Sequence, residues 1–438
     1  MSGKVSLDAY DHMVRASLHD RVLGCLFGSA LGDAIGLYTE FLPGDMAAAA
    51  YPSRKFTLVP RSAATPFRRD AHRNKHQPGE WTDDTDHALL ILLAHLDSDG
   101  QSLDPREFAH RLQIWVQQGL RALDTLPLGL GRTVGAIVGN KAYLDDPEGT
   151  ARNHWTTCGY NIAPNGSLMR THPLGLMCLD KSFEETFEVA ASYSVMTHVD
   201  PRCIISCAIG TALVRGLVLG DVTDEADIDA TIARGLAWWK QYRQRQMEDN
   251  PRRKDEPDLD MDEFARHAKV NDLDDLELWG EGRKIGYVYK CFGAGVHLLR
   301  LAMRSGRAMR DQLSTFETLI TDLIMRGGDA DTNACFAGAL LGSYLGFKAL
   351  PPHWRGGLKH GEWLLEKSEA LCSVLDVVDG VENKKDDTAR DGGRGFVTEE
   401  QMEEKVMLLQ ARMAREEQEW KKSQEEGRKR PWFKWNKS

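Results

Sequence analysis

The 438-residue chain carries eight cysteines but no Cys-x-x-Cys pair. They stand singly, at positions 25, 158, 178, 203, 207, 291, 335 and 372, mostly in apolar stretches. That scatter argues against a zinc site and against a disulfide frame, and for reduced core thiols. Cys203 and Cys207 share a helical face, but two thiols without partners make no site. Uninterrupted apolar runs are short of the ~20 residues that a membrane span requires. The N-terminal run Met1-Ser2-Gly3-Lys4-Val5-Ser6-Leu7-Asp8 lacks the apolar core of a signal peptide. A basic excess is missing too: 55 Lys and Arg face 65 Asp and Glu, for a formal net charge of −10. The electrostatic footprint of a nucleic-acid binder is therefore absent, and direct nucleic-acid binding is not expected. Convincing alternating strand patterns are also missing. These absences point to an intracellular, all-α protein away from membranes, expected in the cytoplasm. The basic tetrapeptide Arg428-Lys429-Arg430-Pro431 keeps the nucleus as an alternative.

What is present is core and helical periodicity. Hydrophobic residues make up 42% and charged residues 27%, and the length suffices for one large domain or two ordinary ones with a sizeable core. The segment from Arg21 to Gly36 repeats glycine at 24, 28, 32 and 36, so one helical face is bare backbone. Each glycine costs about 1 kcal/mol relative to alanine in a helix, a loss that close approach of another element offsets. This helix is expected at the centre of the fold. Similar small-residue faces recur at Gly338/Gly342/Gly346 and Gly293/Gly295. Further helices are predicted near 106–123, 184–196, 201–219, 226–247, 284–304, 310–325 and 360–373. The irregular, basic stretch from Met46 to Pro78 reads as a long loop that covers or borders a site. The architecture predicted is a single large orthogonal helical bundle over about 15–378, with a charged surface insertion, partly disordered, at about 241–282. A linker over 379–397 and a charged helical tail over 398–438 follow. Met402, Val406, Leu409, Met413 and Trp420 give the tail a narrow seam for the body or a partner.

Two acidic clusters stand out. Thr82-Asp83-Asp84-Thr85-Asp86 opens one apolar helix, and Gly327-Gly328-Asp329-Ala330-Asp331-Thr332 opens another. The simple reading is capping, since Asp and Thr at helix starts satisfy free N–H groups and complement the dipole. One cap needs one acid, however, and each cluster has more. An unpaired buried carboxylate is expensive. If the two helix starts meet, one or two hard divalent cations with oxygen ligands are the natural neutralisers, Mg²⁺ by default. Glu40, flanked by apolar residues after the glycine helix, is either a surface loop residue or a functional carboxylate. The loop Cys158-Gly159-Tyr160-Asn161-Ile162-Ala163-Pro164-Asn165-Gly166-Ser167-Leu168-Met169-Arg170 offers free N–H groups and an arginine to a phosphate, or is an ordinary turn with a structural arginine. His198, at the junction of two helices, is a ligand contact or a satisfied core histidine.

Taken in order, these segments resemble the ADP-ribosylglycohydrolases. The resemblance runs from about Arg21 to Trp354. It rests on Gly32-Asp33-Ala34-Ile35-Gly36 with Glu40, Trp81-Thr82-Asp83-Asp84-Thr85, Asn165-Gly166-Ser167-Leu168-Met169-Arg170, Thr197-His198, and Gly327-Gly328-Asp329-Ala330-Asp331-Thr332-Asn333-Ala334. It implies an all-α orthogonal bundle with a centre of two Mg²⁺ ions, Mn²⁺ being the alternative. Thr82, Asp83, Asp84, Asp329, Asp331 and Thr332 match its metal ligands. Glu40 and Asp84 become candidates for the acid/base, Glu40 matching a glutamate beside the metals. Gly159, Tyr160, Asn165, Gly166, Ser167, Arg170 and His198 match segments lining the ADP-ribose cleft. Tyr287 falls where some members place an aromatic against adenine. The insertion, the basic 46–78 segment and the tail depart from the family pattern and leave the acceptor open.

The implied reaction is hydrolysis of the glycosidic bond between ADP-ribose and a modified acceptor, a protein side chain or small conjugate, with arginine slightly favoured over serine. It passes through an oxocarbenium-like state. The rivals are a non-catalytic ADP-ribose binder or crystallin-like structural relative, which would be expected to lose a metal ligand or Glu40, and an all-α isoprenoid synthase. The synthase wants acids at positions one, two and five of its first motif, and Asp83-Asp84-Thr85-Asp86-His87 does not supply them.

Overall fold

The computed structural model describes residues 7–280, 284–305, 309–379 and 385–429. Every regular element among them is helical, and the only extended pairings are two isolated bridges, Pro43 with Gly327 and Pro164 with Tyr287. The all-α class holds. Predicted helices fall close to observed ones, among them Pro105–Gln118, Phe183–Ser194, Pro201–Leu219, Glu225–Asp249, Val288–Arg304, Met309–Ile324 and Gly361–Val374. Pro201–Leu219 has the length and composition of a membrane span but lies buried in the core.

The centre of the fold is a pair of helices in backbone contact. Leu7–Gly36 carries one glycine face and Ala330–Leu345 the other. A Cβ built on Gly28 would lie 2.3 Å from the Gly338 carbonyl oxygen, and one on Gly342 would lie 1.8 Å from that of Gly24. Gly32 meets the Ala334 carbonyl, and Gly36 meets the Cα of Asp331. The two small-residue faces seen separately in the sequence are thus one interface. It sets Asp33 on the first helix beside Asp331 at the start of the second.

Two expectations are corrected. The 241–282 stretch is not a solvated insertion over its described part. Glu225–Asp249 continues through it, Met261–Ala268 forms a further helix, and Phe264, Leu273, Leu276 and Leu278 are buried. Phe264 packs on Tyr289 and Phe292, so sparse apolar residues anchor a charged segment to the core. Residues 281–283 lie outside the described part. The 379–397 stretch is likewise held to the body where it is described. Thr388 is buried, its carbonyl accepts from Arg111, Asp387 pairs with the buried Lys367 at 2.5 Å, and Arg121 bonds the Gly395 carbonyl. Residues 380–384 lie outside.

The tail helix runs Glu399–Lys429 and rests on the body mainly through polar contacts. Lys405 pairs with Asp124 at 2.5 Å, Arg412 bonds the Lys75 carbonyl, and Arg69 bonds the Glu416 carbonyl and covers Trp420. Of the predicted seam, Met402, Leu409 and Met413 are half-buried while Val406 and Trp420 stay exposed. Arg430 and Pro431 of the basic tetrapeptide lie outside the described residues.

Candidate active site

Asp33 organises the first acidic cluster. Its carboxylate accepts from the Thr82 backbone N–H (3.0 Å), the Thr82 hydroxyl (2.9 Å), the Thr85 N–H (3.0 Å) and the Thr85 hydroxyl (2.6 Å). Thr82 is the N-cap of the helix Asp83–Asp97, its hydroxyl accepting from Asp84 N–H. The cap is therefore filled by threonine, and Asp84 is released from that duty. Asp86 is taken up otherwise, by the indole N–H groups of Trp81 (2.9 Å) and Trp115 (2.8 Å). At the second cluster Asp329 occupies the N-cap position yet makes no capping bond; its Oδ2 instead accepts from the Asn165 amide at 2.8 Å. Capping accounts for Thr82 but not for the carboxylates of Asp84 and Asp329.

The carboxylates gather instead. Asp33, Asp84 and Asp331 bring ligand oxygens within 4.8 Å of one another, and so do Glu40, Asp329 and Asp331. Asp331 belongs to both groups. All five are buried, Asp33 fully and Asp84 to 2% exposure. Thr332 eases the charge on both Asp84 and Asp329. Burial, then mutual repulsion, pushes Asp84 and Asp331 well above the usual carboxylate range. Asp33 is pushed up to about 6 by burial, against the pull of its threonine bonds, and Asp329 to about 6 by burial and the charge of Glu40. Asp83 is also raised, by burial and Asp84, but it lies outside both groups, its Oδ1 turned toward Gly129.

Glu40 reaches this cluster through a backbone clasp. Phe41 N–H donates to the Gly328 carbonyl (2.7 Å) and Gly328 N–H to the Leu42 carbonyl (3.0 Å). Gly327 and Gly328 sit at φ of 71° and 75°, and a side chain on Gly327 would strike the Leu42 carbonyl. The Gly-Gly pair thus lets the Glu40 turn and the second cluster touch. On its other side Glu40 meets His72, whose Nε2 lies 2.5 Å from the carboxylate. Arg73 donates to the carbonyls of Glu40 and Tyr38 and pairs with Asp70. The basic 46–78 segment therefore does border the site.

The remaining candidates separate by depth. Asn165 touches the cluster directly. Its N–H bonds the Gly286 carbonyl, and Val288 N–H bonds the Ala163 carbonyl, so this loop is stitched to the segment carrying Tyr287. Tyr287 is half-buried, donates its hydroxyl to Glu263 at 2.8 Å and lies under Arg202. Gly166 faces the His198 ring, and Ser167 is fully buried, accepting from Ser194. His198 Nδ1 bonds the Thr197 hydroxyl at 2.7 Å, and its buried Nε2 has no partner among the described residues; burial holds the ring neutral. Arg170, expected in the cleft, is an interior strut: buried, bonded to Thr197, and stacked on Phe108. Gly159 is exposed and Tyr160 packs on Trp155 at the rim.

Sequence reasoning missed two residues as site members. Asp33 stood within a quoted motif, and the signal was a lone charge in the otherwise small or apolar stretch 22–36. His72 carried no signal beyond its basic loop. Seven cysteines are buried, Cys158 alone being exposed, and none is paired among the described residues, in line with reduced thiols.

The donor set suits a hard cation. Every candidate ligand is a carboxylate or hydroxyl oxygen, and a buried Asp84 Oδ1 has no hydrogen-bond partner among the described residues.

Comparison with known proteins agrees with this geometry. The family described as ADP-ribosylglycohydrolase matches residues 14–384. An ADP-ribosylarginine hydrolase Tri1 of Pseudomonas putida is 26% identical over 336 residues, 76% of this chain and 73% of that protein. An ADP-ribosyl-[dinitrogen reductase] glycohydrolase of Rhodospirillum rubrum is 25% identical over 345 residues, 78% of this chain and 91% of that protein. Among solved structures, a chain titled ADP-ribosylglycohydrolase-related protein complex aligns with a TM-score of 0.50 at 22% identity, covering 82% of this chain and 99% of its own, and supports the fold.

Proposed function

The chain belongs to the ADP-ribosylglycohydrolase family and is an enzyme of that kind; on that premise we propose that it is a divalent-cation-dependent hydrolase releasing ADP-ribose from a modified arginine side chain. The observation that carries the reading is the pair of buried carboxylate groups joined at Asp331. Five buried acids that repel one another have no structural benefit unless cations offset them. Asp33, Asp84 and Asp331 would hold one ion and Glu40, Asp329 and Asp331 a second, with Thr82 and Thr332 supporting them. Mg²⁺ is the preferred ion and Mn²⁺ the alternative; when bound, such ions supply Lewis-acid polarisation of ribose hydroxyls and water. Asp83 is held in reserve as a further ligand.

Between the two acid/base candidates we favour Glu40. Asp84 is enclosed by Thr82 and Thr332, whereas Glu40 contacts His72, whose side chain is 30% exposed. A proton passing between Glu40 and the anomeric region has an exit through His72 to solvent. Asn165 orients Asp329, and the 159–167 loop with Tyr287 forms the wall we assign to the ADP-ribose moiety. Arginine is preferred as acceptor because relatives of this chain carry that activity in their names.

The test is a panel of ADP-ribosyl-arginine, ADP-ribosyl-serine, poly(ADP-ribose) and O-acetyl-ADP-ribose with Mg²⁺ or Mn²⁺. Release of ADP-ribose fastest from the arginine adduct, abolished by EDTA, is expected. Faster turnover of another conjugate overturns the acceptor assignment. Tight ADP-ribose binding with no turnover of any conjugate overturns the enzymatic reading.

A further inference from the structure

A cavity of about 990 Å³ opens between residues 58–78, residues 347–365 and the C-terminal helix. It shares no lining residue with the two carboxylate groups. Its size is that of a small-molecule site, at the upper end of the usual range. Five cationic side chains line it, Arg61, Arg69, Arg73, Arg355 and Lys359, against two acidic ones, Glu362 and Glu416; with Asp70 and Glu80, the partners of Arg73 and Lys359, counted as well, one positive charge is left over. In a chain of net charge −10 that local excess does not follow from composition.

Three of these cations are spoken for. Arg73 holds Asp70, Lys359 pairs with Glu80 at 2.5 Å, and Arg69 engages the tail helix. Arg355 and Arg61 have no ion pair among the described residues. The Arg355 guanidinium carbon lies over the Phe347 ring, 4.4 Å from its centroid, and its buried Nε has no hydrogen-bond partner among the described residues. A guanidinium on an aromatic face can still pair with an anion through its terminal N–H groups. Burial lowers its pKa, against the opposing pull of the Asp20 carboxylate. The buried His360 Nε2 is unpartnered as well, and His360 lines the same cavity. Leu58, Phe67 and Leu358 supply an apolar wall.

We propose that this cavity is a second ligand site, one that takes a nucleoside monophosphate. Its phosphate meets Arg355 and Arg61, and its nucleoside lies on the apolar wall. The inference is independent of the chemistry assigned to the carboxylates. It requires the tail helix, because Glu416 closes one side.

The test is calorimetric titration of the full chain with AMP and, separately, with inorganic phosphate, both in EDTA so that no cation at the carboxylates recruits phosphate. Expected are one AMP per chain, affinity at least tenfold above inorganic phosphate, and at least tenfold weakening in Arg355→Ala. The surface variant Arg61→Glu weakens AMP similarly with an unchanged melting curve, which keeps the test valid if Arg355→Ala misfolds. Asp84→Asn leaves AMP affinity unchanged. No binding of AMP at millimolar concentration, indifference to the cavity variants, or loss in Asp84→Asn would overturn the site. Equal affinity for AMP and inorganic phosphate would overturn the nucleoside assignment.

Discussion

Replacing Gly28 by alanine sets two opposed effects against each other, and the structure decides between them. In an isolated helix the change is favourable by about 1 kcal/mol. Here the added methyl would lie 2.3 Å from the Gly338 carbonyl oxygen and 3.2 Å from the Gly342 Cα. Both neighbours are backbone of a packed helix and cannot rotate aside, so the helices must part by roughly 1 Å. Overpacking of this kind costs about 1–3 kcal/mol, and rigid backbone places it at the upper end. The net expectation is a loss of about 1–2 kcal/mol, a fall in melting temperature of a few degrees at roughly 2–4 °C per kcal/mol. Gly135 is the control: in the helix Arg132–Val138, its added Cβ meets only Leu130 side-chain atoms at 3.4 Å or beyond, so Gly135→Ala is expected to be neutral or stabilising. Thermal melts and urea titrations of the two variants in EDTA provide the measurement. A Gly28→Ala protein as stable as the wild type, beside a stabilised Gly135→Ala, would refute backbone contact as the reason for the glycines. Gly32→Ala, against the Ala334 carbonyl at 1.9 Å and next to Asp33, is expected to lose turnover as well as stability.

Asp331→Asn removes the carboxylate common to both groups and is expected to lower cation-dependent ADP-ribose release by at least a thousandfold, read by chromatography of the product. The same variant is expected to lose the thermal shift that Mg²⁺ gives the wild type, a gain of about 2.7 kcal/mol at a hundredfold excess over Kd; an Asp331→Asn protein that Mg²⁺ still stabilises fully would count against the shared-ligand assignment. His72→Gln is expected to reduce kcat by about ten- to hundredfold and to alter the pH profile, with KM little changed and partial rescue by imidazole; unaltered kcat would remove His72 from the proton path. His172 is held down to about 3 by burial, so the unfolded chain binds a proton that the folded one refuses. Its contribution is intact above about pH 6.5 and is lost as pH falls toward 3, about 2 kcal/mol between pH 7 and 5 on this group alone. Urea midpoints at those pH values check the direction, and His172→Gln should flatten the slope.

The helices were legible because burial imposes a 3.6-residue period that composition cannot hide, and Pro201–Leu219 fell on its predicted bounds. The 241–282 stretch was misread because four apolar anchors, Phe264, Leu273, Leu276 and Leu278, are diluted among charges. Local composition measures solvation of the average residue, while attachment depends on the few that are buried. Within the site, short motifs exposed the acids at 83, 84, 329 and 331. His72 stayed hidden because its role comes from a loop folding back on Glu40, a contact without any local pattern. Arg170 was ambiguous for the same reason: an arginine near a polar loop can face a phosphate or, as observed, Phe108 and Thr197.

By itself the sequence determined the helical class, the two glycine stripes and the excess of carboxylates at two helix starts, since each is set by residue type and spacing along one segment. Only the tertiary structure decided which acids meet. Threonine takes the first cap, Asp329 forgoes the second, and backbone contact between the glycine faces carries Asp33 to Asp331. Those outcomes depend on the distance between segments some 300 residues apart. Helix packing sets that distance, and no local pattern records it.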